Sequence, residues 1–530
     1  MRILKVLYWV SPLIELDWPF QKESWVRDLV PRINAALEAN FEIGDSLVCV
    51  GEEIRHLMET KSLAVPGRIL AFSQRELLDD YTLDGLAERR RFFATGEASR
   101  YYGNLARRFL EKTGGDYRPD VIFSFNESPF LRKLYPEAIH LSVEHSVFSR
   151  RPYPRTYAFD PFSDGNSRRF LSSTMCADIN AIDASPDDLA AIGRMRETVM
   201  EALTSNSAIT EYFMELRRSF DHVILMPLGY ERNYDTLVTR SYSGQFEFVE
   251  HVLDSVDAKT CILLTQHPTI HAIRPERVEE LKAIHPNLRL ESWFGSVENF
   301  SQAAMAYCDG CVVAESSLAY QAAFLGKHLI SPDGFCEGIA DSTDISRIAD
   351  TLERPTRKRD NFFAWVLNHY AVDTDFIPEY LKAAICSFPR AESWTGPDFG
   401  SWPSAHPGVS LSALVDKWNA ECVKPFLRFF PTGRLVPRDF DLSSSAQRTI
   451  AELRNRLESQ QDELRRLFDD RDRIIADRAE IRSQLDGIVS SRVYQFVLGL
   501  QSVMSALIPR PSRLRHALAK VRGSLRRKQQ

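Results

Sequence analysis

Three short polar clusters in this 530-residue chain stand where apolar runs stop. The first is Thr265-Gln266-His267-Pro268, closing the run that begins at Cys261. An imidazole just beyond a strand can donate to a phosphate or hydroxyl, and the proline removes a donor and fixes the backbone as the chain leaves the sheet. A lone histidine at a strand end also has a purely structural use. The second cluster is Glu315-Ser316-Ser317, between the apolar run 310–313 and a helical pattern at 318–325. Backbone N–H groups opening a helix, joined by two hydroxyls, form an anion site, and plain N-capping uses the same serines. The third is Glu144-His145 after the run 139–143, followed by Arg150, Arg151, Arg155, Asp160 and Asp164. A carboxylate beyond a strand end suits a general base or nucleophile. Glu144 is the first choice, Asp160 and Asp164 follow, and His145 is an acid, a base or a structural ring. The three arginines can hold an anionic ligand. A solvated basic loop, or a salt bridge from Glu144 to Arg150 or Arg151, is the plain alternative.

The elements needed to position these clusters form an alternating series. Strands are expected at 3–9, 45–50, 69–72, 121–125 and 139–143, with helices at 23–39, 86–111 and 127–134. Ser185 and Pro186 supply the cap and first-turn residue of a long helix. A second alternation starts near His222: a strand ending in Pro227-Leu228-Gly229, then strands at 261–265, 288–291, 310–313 and 328–330 with helices at 245–256, 274–283, 297–306 and 318–325. Strand–helix alternation implies parallel sheets covered on both faces. The fold class is therefore α/β, with two Rossmann-like domains facing each other across a cleft, and ligands expected beyond the carboxyl ends of the strands. The boundaries read as 1–205 for the first domain and 206–386 for the second. An irregular connecting segment, 387–441, is rich in Pro, Trp and Phe.

Beyond it, Ile450, Leu453, Leu457, Gln460, Leu464, Leu467, Arg471, Ile474, Arg478, Ile481, Leu485 and Ile488 recur every three then four residues. Charges dominate the other faces, so 442–490 reads as a coiled coil and the chain as a homo-oligomer. The residues 491–530 present an apolar helical face and then eight Lys or Arg, with no Asp or Glu, between 510 and 528. That pattern suits peripheral association with an anionic membrane surface, or burial against the oligomer.

Composition narrows the classes further. A net charge of −6 argues against a general nucleic-acid binder. Eight cysteines without framework spacing fit a reducing cytoplasm, and Cys308 and Cys311 read as two small buried residues at a strand entry rather than a metal or redox pair. The N-terminal MRILKVLYWV reads as a first strand and not as a signal peptide. No Asp-x-Asp stands at a strand end in a way that suggests a metal-bound diphosphate, and the charged stretch 468–473 lies inside the expected coil.

The order strand-Pro-Leu-Gly, strand-x-His-Pro, then Cys-Asp-x-x-Val-x-x-x-Ser-Ser-x-x-x-x-Ala-x-x-x-Gly-Lys, over residues 223–330, resembles bacterial capsule polysaccharide β-Kdo transferases. It is also similar to CMP-using sialyltransferases and CDP-glycerol-type polymerases. The resemblance implies a GT-B enzyme with a CMP-activated sugar, Kdo-like or sialic-acid-like, as co-substrate and no cofactor. His267, Ser316 and Ser317 would contact its phosphate, flanked by Gly229, Gln266, Pro268 and Glu315. Gln266 replaces a residue that is usually basic, and Ser163-Asp164-Gly165 is a partial echo of the acidic motif of the sialyltransferases. The expected activity is glycosyl transfer to a glycan or lipid-linked acceptor at the cytoplasmic face of the membrane. A CDP-polyol or UDP/GDP-sugar donor on the same fold, or a non-catalytic scaffold displaying the coil, are the alternatives.

Overall fold

The computed structural model describes residues 3–423 apart from 13–18, 74, 78–99, 126–128, 162–174, 230–241, 243, 267–271, 292, 295–296, 298, 315, 333–335 and 391–397. The chain divides into two compact units, Met1–Val436 and Pro437–Gln530. The coil, the apolar helix and the basic tail lie outside the described residues.

The first sheet is built from β1 (Ile3–Val10), β2 (Glu42–Gly51), β3 (Arg68–Phe72), β4 (Val121–Phe125), β5 (Ile139–His145) and β6 (Thr156–Asp160). The first five run parallel, with β1 between β2 and β4. Helices cover both faces, so the central strands are apolar on both sides rather than alternating. Leu7, Trp9, Leu47 and Ile122 pack to one side with Phe109 and Phe130. Tyr8, Val10, Val48 and Phe123 pack to the other with Trp25, Val30 and Ile33.

The second sheet holds β7 (His222–Pro227), β8 (Thr260–Thr265), β9 (Leu288–Arg289), β10 (Gly310–Val312) and β11 (His328–Ile330), all parallel, in the order β11-β10-β7-β8-β9. Val223, Ile224, Leu225, Met226, Ile262, Leu263 and Leu264 are fully buried. Each such side chain stabilises by about 1.5–3 kcal/mol relative to an exposed one.

The sheets are joined by helix Pro186–Leu203, whose N-cap Ser185 accepts from Asp188 N at 3.1 Å. After the second sheet the chain returns to the first. Strand β12 (Val372–Asp373) pairs antiparallel with β6, and Asn40 Nδ2 donates to Pro378 O in helix Ile377–Ser387. Helix Leu411–Trp418 then lies along Pro186–Leu203, where Arg194 donates to Ser412 Oγ at 2.7 Å. The segment expected to be irregular thus carries a helix whose Trp418 indole donates to Asp373 Oδ2 at 2.7 Å.

Two doubly wound sheets in one chain, with the C-terminal segment returned to the first, form an architecture of the GT-B type. The first sheet also differs from expectation. Thr156–Asp160, read from sequence as part of a basic loop, is a fully buried strand antiparallel to β5. Its pairing extends β5 by two residues, so Glu144 and His145 stand within the ladder and not beyond it. Among the described residues, no helix is long and apolar enough to cross a membrane.

Candidate functional site

In the second sheet the chain leaves β7 toward β8 and β9 and returns on the other side through β10 and β11. Open sheets of this kind bind ligands beyond the carboxyl ends of the strands, where the winding reverses. Here that place lies between the ends of β7 and β10, so Leu228-Gly229 and the turn 313–317 flank it.

The turn is built for a helix start. Leu318 N donates to Ser316 Oγ at 3.3 Å, Ala319 N to Ser316 O at 2.9 Å and Tyr320 N to Ser317 O at 3.2 Å. Three of the N–H groups expected to be open for a phosphate are therefore engaged inside the chain. An anion at this turn must compete with the Ser316 cap or use the Ser317 hydroxyl, which makes no cap bond. Helix Leu318–Phe324 is buried along its whole length.

On the other side of β7, the end of β8 is tied down. Leu228 N donates to Thr265 O at 2.8 Å, and Ser301 Oγ to Thr265 Oγ1 at 2.9 Å. Gln266 Oε1 accepts from Ile273 N at 2.9 Å, closing the chain across 267–272. A basic side chain has no acceptor to offer Ile273, which gives the glutamine a local reason to replace it. Gly229 needs no glycine for space: a Cβ there would meet Gln245 Nε2 at 3.7 Å, an ordinary contact. His267, Pro268 and Glu315 lie outside the described residues, as does Asp164.

Lys327, the last residue of the matched pattern, is turned away from this edge in its bonding. Its Nζ donates to Ala306 O at 2.8 Å, and burial pulls its pKa down. Cys308 and Cys311 are both buried and burial pushes both thiols up, in keeping with a packing role. Among the described residues, no three His, Cys, Asp or Glu side chains are grouped to hold a metal.

In the first sheet the winding reverses between β1 and β4, where Ser11 N donates to Phe125 O at 3.3 Å. Glu144 sits one strand further, opposite Ala158, and its Oε1 accepts from His145 N at 2.8 Å. The His145 ring stacks on Tyr157 across the ladder, with centroids 5.3 Å apart and planes at 26°. The Arg155 guanidinium lies 5.6 Å from the Tyr157 ring centre. Burial, ahead of the nearby charges, raises the Tyr157 hydroxyl. Arg150, Arg151 and Arg155 are exposed.

Asp160 lies inside the sheet. As the last residue of antiparallel β6 it lies opposite Ser142, deeper in the sheet than Glu144. It is fully buried and accepts from the Tyr370 hydroxyl at 3.2 Å. That bond ties the carboxylate to the returning C-terminal segment. The structure also adds a buried polar rung not read from sequence: Ser124, Ser142 and Asp160 stand side by side on β4, β5 and β6. The signal was the alternation His140-Leu141-Ser142-Val143-Glu144, which puts three polar residues on one face of a strand taken as a plain apolar run.

No protein-family model matches the chain, and no curated protein matches it at a significant level. Several solved structures match it at low similarity. The β-Kdo 2,7 transferase KpsC of Thermosulfurimonas dismutans is 11% identical, with a TM-score of 0.33 over 63% of this chain and 97% of that one. A complex of S. aureus MnaA with UDP is 12% identical, with a TM-score of 0.32 over 72% and 96%. The wall teichoic acid polymerase TagF is 11% identical, with a TM-score of 0.24 over 72% and 88%. Identities and TM-scores this low carry no activity across to this chain.

Proposed function

We propose that the chain is a glycosyltransferase that holds a CMP-activated sugar at the carboxyl edge of the second sheet and transfers the sugar to a glycan or lipid-linked acceptor. The observation that carries this reading is one of placement. The motif order strand-Pro-Leu-Gly, strand-x-His-Pro and strand-Ser-Ser-helix falls on β7, β8 and β10, three adjacent strands around the point where the winding reverses. His267 and the Ser316-Ser317 turn would then hold the phosphate from either side of the end of β7.

On this reading the first domain supplies the acceptor site. Glu144 would act as general base on the acceptor hydroxyl, with His145 held beside it by Tyr157 and the arginines 150, 151 and 155 attracting an anionic acceptor. Domain closure would exclude water and limit donor hydrolysis. The segment 442–490 would oligomerise the enzyme, and 491–530 would hold it at the anionic cytoplasmic face of a membrane. A Kdo-like or sialic-acid-like sugar fits a monophosphate donor used without a metal.

The test separates an enzyme from a binding scaffold. Glu144→Gln is expected to abolish transfer and donor hydrolysis while leaving the fold and CMP affinity intact. A wild-type chain that neither binds CMP nor turns over any CMP-sugar contradicts the reading, and preference for CDP-polyol, UDP- or GDP-sugars in the same assay redirects it to another donor on the same fold.

A further inference from the structure

Helix Leu318–Phe324 carries the Ser316-Ser317 turn at one end, and the bonding at its other end is complete in an instructive way. A helix leaves its last four carbonyls without partners inside the helix. Gln321 O accepts from Leu325 N at 2.9 Å, Ala322 O from Lys327 N at 2.9 Å and Ala323 O from Gly326 N at 3.2 Å. Gly326 has φ +72°, the left-handed conformation that a Schellman turn requires. The fourth carbonyl, Phe324 O, accepts from Arg196 Nε at 2.5 Å. Arg196 belongs to the helix that joins the two sheets. Its guanidinium also donates to Asp360 Oδ1 at 2.5 Å and lies 5.3 Å from the Phe324 ring centre.

Phe324 is at the same time the place where the first domain touches this helix. Phe148 meets it edge to face with centroids 4.9 Å apart, and Tyr153 does so at 6.0 Å. Both aromatics lie in the connection between β5 and β6, directly after Glu144 and His145. A seven-residue helix spans about 10 Å and moves as a rigid rod, so a shift at Phe324 is passed to Ser316 and Ser317.

We propose that Arg196 is a positioning residue for the nucleotide site, acting through helix Leu318–Phe324. It fixes where the rod sits along its own axis, and with Phe148 it links the serine turn to the strand that carries Glu144. The cation also suits the negative end of the helix. This inference rests on the CMP reading above and adds to it a device by which the connecting helix and the first domain set the geometry of the serine turn.

The experiment compares CMP affinity by calorimetry with amide exchange over residues 316–324 in the full chain. In Arg196→Met, which keeps the stem over Phe324 and removes the donors, CMP affinity is expected to fall about tenfold and exchange at the turn to quicken. Arg196→Lys, with charge and one donor restored, is expected to recover most of both. Asp360→Asn serves as control, since it weakens the same ion pair while leaving the bond to Phe324 O: CMP affinity is expected to stay near wild type even where thermal stability drops. If Arg196→Met does not fold, Arg196→Gln takes its place, with an affinity loss and faster exchange at the turn expected and wild-type values for both overturning the inference. Wild-type affinity in a folded Arg196→Met chain overturns the inference and leaves the CMP reading standing. A loss of affinity that merely tracks thermal stability across all three variants also overturns it. A wild-type chain that binds no CMP removes both.

Discussion

The two ends of the second sheet are built on opposite principles. At the amino end, carboxylates are saturated with bonds. Asp309 takes both Arg217 nitrogens at 2.6 Å and Val223 N at 2.8 Å, which fastens β7 to the entry of β10. Asp341 takes Leu329 N at 2.8 Å, Arg357 N at 2.7 Å and the buried Arg359 guanidinium, which fastens β11. Among the described residues of the carboxyl end the bonds are lighter: a serine cap, a threonine–serine contact and the Gln266 amide. The difference teaches where rigidity is placed. A base held by charge-assisted bonds keeps the strands in register, and the edge that meets ligand keeps polar groups able to exchange an internal partner for an external one.

The comparison breaks most readily at Arg359, whose side chain is 1% exposed against 7% for Asp341. Arg359→Ala leaves an uncompensated buried carboxylate and is expected to cost about 3–5 kcal/mol, read as a large drop in the thermal midpoint. Asp309→Ala removes an acceptor from Val223 and a bidentate pair that is partly solvated, so about 1–3 kcal/mol is expected by denaturant titration. Neither change is expected to alter CMP affinity in chains that remain folded.

Acid sharpens the same contrast. His328 opens β11 beside Asp341 and Arg359, and burial lowers its pKa below the ordinary 6.5. The unfolded chain then binds a proton near pH 6.5 that the folded chain refuses, so this stability is present above pH 6.5 and is lost as the pH falls below it. The thermal midpoint is expected to drop on acidification from pH 7, with a shallower slope in His328→Asn.

The carboxyl end is expected to respond in the opposite manner, with small stability effects and larger binding effects. Gln266→Ala loses the bond to Ile273 and is expected to cost about 1 kcal/mol by denaturant titration. Ser316→Ala loses a long cap bond worth about 0.5 kcal/mol, while CMP affinity is expected to fall by roughly tenfold in calorimetry.

Much of this framework is legible in the sequence. The strands β7 and β8 are apolar throughout their interiors, and β1 and β4 are each interrupted once, by Lys5 and Ser124, because a parallel sheet covered on both faces has little polar side to interrupt them. Ser185-Pro186 announces its helix by cap chemistry alone. What escaped depends on distant partners. Thr156–Asp160 follows three arginines and two prolines and reads as loop, yet β5 and β12 make it a strand. Tyr370 and Asp160 are 210 residues apart, so nothing local marks that aspartate as enclosed. Arg196 looks like one more charge on an amphipathic helix, and only the Schellman turn at Gly326 shows which carbonyl is left for it. The Ser-Ser turn reads as a helix start in the sequence, but the competition between capping and anion binding is visible only once each N–H has been traced to its partner.

The central claim is that the carboxyl edge of the second sheet holds CMP. Calorimetric titration of CMP into the full chain and into His267→Ala tests it most directly. Saturable binding to the wild type is expected, with a loss of at least about tenfold in the variant and the fold retained. Equal affinity in the two chains, or no binding to either, would contradict it.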